Sequence, residues 1–89
     1  MIDQQRVIEA MASDLKRVAL GFHRHSYKMA AQFFQEALQR KNEIVLSHLP
    51  NYVASILQKI ECIRLENNPD RIAEDCLMYS TLLQNFAKR

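Results

Sequence analysis

Apolar side chains recur every three or four positions through most of this 89-residue chain, the period of a helix with one face turned to a core. Between residues 4 and 22, Val7, Ile8, Met11, Leu15, Val18, Ala19 and Phe22 fall on an arc of about 120° at 100° per residue. Asp3 precedes them as an N-cap, its carboxylate placed to accept from the first unpaired backbone N–H groups. A second stretch runs from Tyr27 to about Val45, with Tyr27, Ala30, Ala31, Phe34, Ala37, Leu38 and Val45 on its apolar side. Gly21 is placed to end the first helix and Ser26 to cap the second. Met29 and Phe33 continue the phase of Phe22 on a neighbouring arc, so the alternative is one unbroken helix from 4 to about 46. Gly21 would cost such a helix only about 1 kcal/mol relative to Ala, but a stripe that long would need a second copy to cover it. The break is the preferred reading.

Pro50 sits where the first turn of a third helix needs no N–H, and Val53, Ile56, Leu57, Ile60 and Ile63 then form a regular stripe to about Glu66. The run Glu66-Asn67-Asn68-Pro69-Asp70 is the strongest punctuation in the chain. Asn68 reads as an N-cap, Pro69 as the first helical residue, and Asp70 as an acid at the positive helix end. The last helix, 69–87, turns Ile72, Ala73, Cys76, Tyr79, Leu83 and Phe86 inward. The expected fold is all-α: a small antiparallel four-helix bundle of two helical hairpins, forming a single domain over residues 1–89. The segment Ala30-x3-Phe34-x2-Ala37-Leu38 is similar to the second helix of a tetratricopeptide unit, yet no second copy follows at the required spacing of about 34 residues.

Composition narrows the class further. One Gly and two Pro are too few to punctuate a sheet-rich domain, which needs a turn about every 8–12 residues. Lys plus Arg number 12 and Asp plus Glu 10, a balance that does not by itself imply a polyanionic partner. No apolar run approaches the roughly 18 residues of a membrane span, and the basic start and apolar stretch of a secretory leader are missing from the first residues. Cys62 and Cys76 are too few for a disulfide scaffold or a zinc ribbon. The expectation is a reduced, cytoplasmic protein with no membrane, metal or cofactor.

Candidate chemistry is sparse. His23 and His25 would lie about 200° apart on a helix and cannot share a metal there. Arg17 and His23 form an Arg-x5-His string that resembles the Arg-x(4–6)-His signature of HEPN-type helical ribonucleases. That resemblance implies RNA cleavage dependent on His23. It covers those two residues alone, which a continuous helix would turn about 120° apart, and the family carries its string near the final helix of a longer domain. Cys76 reads as a small buried hydrophobe and Cys62 as an exposed thiol. The acids Glu61, Glu66, Asp70, Glu74 and Asp75 lack the inward Glu-x-x-His pattern of a di-metal bundle.

Charge is distributed unevenly. Lys16, Arg17, Arg24 and Lys28, with His23 and His25, occupy a stretch with no acid between Leu15 and Gln35, whereas the segment from Lys59 to Asp75 is acidic. The chain therefore reads as dipolar, its basic end suited to phosphate contacts or to the acidic end of a second copy. Cys62, Leu65, Met78 and Leu82 point away from the predicted core stripes and mark a self-association face on the last two helices. The functional expectation is a small non-enzymatic interaction or regulatory protein, a homodimer that docks to another macromolecule. The alternative is a nucleic-acid-binding regulator using Lys16, Arg17, Arg24 and Lys28.

Overall fold

Ile8, Met11, Leu15 and Val18, the centre of the first apolar stripe, are completely buried, and the other elements are arranged around them. The computed structural model describes residues 4–63 and 67–88. It contains α1 (Gln4–His23), α2 (Tyr27–Asn42), a short 3-10 turn (Leu46–His48), α3 (Asn51–Ile63) and α4 (Pro69–Ala87). The result is a small all-α bundle, as the periodicity requires. Its hub is α1, which packs along both α2 and α4. At about 1.5 Å per residue, its 20 residues span most of the molecule's 36 Å length. Asp3 lies outside the described residues, as do residues 64–66, where the third helix was expected to finish.

The chain reverses between α1 and α2, so the unbroken 4–46 helix does not form. Gly21 is not the stop signal. Helix α1 runs through it to His23, and the left-handed residue is His25, at φ 59°. Ser26 N donates to Gly21 O at 2.7 Å and His25 N to Phe22 O at 3.2 Å, the paired bonds of a Schellman ending with His25 where glycine is usual. Gly21 is needed instead for contact. A Cβ built there would stand 2.9 Å from the Ala30 Cβ and 3.0 Å from its backbone N, so the missing side chain lets the first turn of α2 approach α1.

Helix α2 departs from the expected pattern in other ways. It stops at Asn42 rather than Val45, and Ser26 makes no side-chain cap bond. Tyr27 and Val45, placed in its core stripe by period alone, are each 48% exposed, and Ala31 is exposed as well. Only Ala30 and Ala37 are fully buried, with Phe33, Phe34 and Leu38 packed partly against the core. An ion pair supplies part of what the narrow stripe lacks. Arg40 Nε donates to Asp14 Oδ2 at 2.7 Å across the α1–α2 contact, with Arg17 3.8 Å from the other carboxylate oxygen. A buried carboxylate such as Asp14 is tolerable only with partners of this kind. Lys41 adds a 3.1 Å pair to Glu61 of α3.

The second half follows the sequence reading closely. Val53, Ile56, Leu57, Ile60 and Ile63 of α3 are all buried. The Asn68 side chain accepts from the backbone N–H groups of Asp70 and Arg71 ahead of Pro69. Cys76 and Leu83 are fully buried, with Ile72, Ala73, Tyr79 and Phe86 packed around them. Ser80 is the addition that apolar period could not reveal: its hydroxyl donates to the Ala12 carbonyl at 2.6 Å in the interior. That bond, between two small residues, sets the close approach of α4 to α1.

Candidate functional site

The direction of α4 decides what the surface can do. Ser80 is bonded to Ala12, Gln84 shares a cleft with Arg6 and Glu9, and Leu77 shares another with Leu20 and His23. Helix α4 therefore runs antiparallel to α1. Its acidic start, with Asp70 and Glu74, returns to the same end of the bundle as the basic turn after α1. This corrects the dipolar reading, since the charges that are far apart in sequence are brought to one end in the fold.

Three of the four cations expected to act together have different surroundings. Arg17 is bound to Asp14 and stands over the Phe33 ring at 5.4 Å, a cation–π contact that uses it structurally. Lys16 lines the clefts between α1 and α4, while Lys28 lines a cleft on α2 with Ala31, Phe34 and Leu38. Arg24 is exposed in the turn. His25 Nδ1 and the Tyr27 hydroxyl are hydrogen-bonded at 3.0 Å, and Phe22 and Tyr27 are in ring contact at 5.6 Å, so this turn is closed by its own aromatic groups. Arg17 and His23 are not brought to one point: the first is held against α2, and the second lies in the cleft with Leu77.

Of the predicted self-association residues, Cys62 lies on α3 and Met78 and Leu82 on α4. Met78 is 49% exposed and Leu82 41%. One turn apart on α4, they share an outer flank, and Leu82 is followed one turn later by Phe86, whose ring meets Tyr52 of α3 edge-on at 6.2 Å. Tyr52 is itself about half exposed. Cys62 is an exposed free thiol, while Cys76 is buried. Leu65 lies outside the described residues. Leu77, 51% exposed and the most exposed large apolar side chain among the described residues, was not singled out in the sequence. It projects about 100° round the helix from Met78 and about 140° from Leu82, over the α1–α4 cleft with Leu20.

No family model, curated protein or solved structure matches this chain. Function must therefore be argued from the surface itself. Among the described residues no group of three or more His, Cys, Asp or Glu side chains is placed to hold a metal ion, and no helix is long and apolar enough to cross a membrane. Burial, with Asp75 nearby, pushes the Cys76 thiol up to about 12, which keeps it protonated and unreactive. The Tyr79 hydroxyl is also raised, again by burial first and Asp75 second.

Proposed function

We propose that this protein is a small non-enzymatic interaction module that pairs with a second copy of itself through the outer flank of α3 and α4 and docks to another macromolecule. The observation that carries this reading is the row of Met78, Leu82 and Phe86 on α4, continued by Tyr52 on α3, with about half the surface of Met78 and Tyr52 open to solvent. In a chain this short, such a row is costly to leave in water. A two-fold axis between Met78 and Leu82 sets each against the other on the partner helix. It also brings the acidic start of α4, Asp70 and Glu74, towards Lys88 at the far end of the partner's α4, so the charges favour the antiparallel arrangement. Two unpaired thiols suit a reducing, cytoplasmic setting.

Cys62 provides the test. It is the exposed thiol, on α3 near Tyr79 of α4, and Cys76 is buried. A short bis-maleimide should join two wild-type chains through Cys62, and Leu82→Glu should abolish that product while leaving the helical spectrum unchanged. Equal cross-linking of both forms, or none in either, contradicts the reading. Nucleic acid as partner has less support, because Arg17 is engaged internally and Lys16 and Lys28 line different clefts. Salt-sensitive RNA or DNA binding lost in an Arg24→Glu, Lys28→Glu variant would restore it.

A further inference from the structure

Exposure separates the methionines of this chain by the ease with which a peroxide can reach them. Four are present, of which Met1 lies outside the described residues. Met11 is completely buried in the core, whereas Met78 is 49% exposed on the outer face of α4. Met29 is half-buried on α2, outside the pairing flank. Oxidation of a thioether requires only access to its sulfur, so Met78 should react first of the three and Met11 last. One turn beyond Met78 stands Leu82, 41% exposed. The two-fold axis between them sets each Met78 against Leu82 of the second copy, so the most accessible methionine sulfur is also at the centre of the contact.

We propose that Met78 is a redox switch on self-pairing: conversion of its thioether to the sulfoxide by a peroxide separates the two chains. The proposal rests on the pairing reading and adds its regulation. The sulfur attacks one peroxide oxygen, an S–O bond forms as the O–O bond breaks, and the other oxygen leaves as water. Sulfur gives up two electrons and the peroxide takes them. The product is a polar side chain in place of a flexible apolar one. Pairing would press its S–O dipole against Leu82, which has no donor to offer, whereas a free chain leaves that oxygen in water. The sulfoxide therefore favours the separated chains, and its enzymatic reduction makes the change reversible. Pairing also covers Met78, so the peroxide reacts with it in the free chain and holds it there.

The experiment treats the full chain with hydrogen peroxide, in a Cys62→Ser form so that no disulfide can join two copies. Peptide mass mapping should show oxygen added at Met78 well before Met11. The rate at Met78 should fall as chain concentration rises, because pairing covers it, while the rate at Met29 should not change. Light scattering should give twice the chain mass before treatment and one chain afterwards, with the Kd for pairing raised about tenfold or more and the helical spectrum retained. Sulfoxide reductases for both sulfur epimers should restore the pair. Met78→Leu should pair and stay paired in the same peroxide. Persistence of the pair with Met78 fully oxidised, equal loss of pairing in Met78→Leu, or collapse of the helical spectrum would refute the switch and leave the dimer standing. A Met78 rate independent of concentration in a chain that pairs would place Met78 outside the contact and overturn the proposal. An untreated chain that stays single at every concentration would refute the dimer and the switch together.

Discussion

Gly21 and His25 have exchanged the roles that composition would give them. The chain's one glycine lies in ordinary helix where α2 presses closest, and the left-handed position of the turn is held by a histidine. Gly21→Ala should thus destabilise the fold by up to about 2 kcal/mol: contact with the Ala30 backbone puts the overpacking cost towards the upper end of about 1–3 kcal/mol, against a gain of roughly 1 kcal/mol in helix propensity. His25→Gly should stabilise it by about 0.5–1 kcal/mol, because glycine enters the left-handed region without strain. Urea midpoints of the two variants would move in opposite directions; a stabilising Gly21→Ala would contradict the close approach. The thiols should also separate. Native protein should be alkylated at Cys62 and protected at Cys76. Above Cys76's ordinary value of 9.0 the unfolded chain loses its proton while the folded chain keeps it until about 12. The contribution of that thiol is therefore full below pH 9 and is lost as pH rises towards 12. Cys76→Ala should flatten that part of the stability curve relative to wild type, and an unchanged slope would contradict it.

At the scale of elements, legibility followed the width of the apolar stripe and the strength of the caps. Helix α1 has seven apolar positions on one arc, and α4 has Asn68-Pro69-Asp70 at its start, so both were readable to within a residue or two. Asn68→Ala should cost about 1 kcal/mol, measured by thermal unfolding. Helix α2 was least legible. Its period admitted Tyr27 and Val45 to a core in which Ala30 and Ala37 are fully buried and Phe33, Phe34 and Leu38 partly so, because a helix held by close backbone contact and by ion pairs to α1 and α3 needs little apolar width. Arg40→Ala removes the shorter partner of the buried Asp14 carboxylate, leaving Arg17 at 3.8 Å, and should cost about 2 kcal/mol, more than loss of the Lys41–Glu61 pair.

For the whole molecule, sequence supplied the antiparallel bundle and some exposed positions, but not how closely α4 approaches α1. That approach depends on small residues, Ala12 and Ser80, whose contact leaves no mark in a hydrophobic pattern. Nor was the arrangement of the surface legible: Lys16 lines the α1–α4 clefts, Arg17 is held over Phe33 and Lys28 lines a cleft on α2, while Leu77 and Leu20 line one cleft although they are far apart in the chain. Met78, Leu82 and Cys62 were readable because each lies opposite a strong stripe on its own helix. The flank of Met78 and Leu82 is proposed to pair two chains, and light scattering on the native protein at micromolar concentration is the direct test. The expected mass is twice 10.4 kDa, falling to one chain in Leu82→Glu. A wild-type mass of 10.4 kDa at every concentration would contradict it.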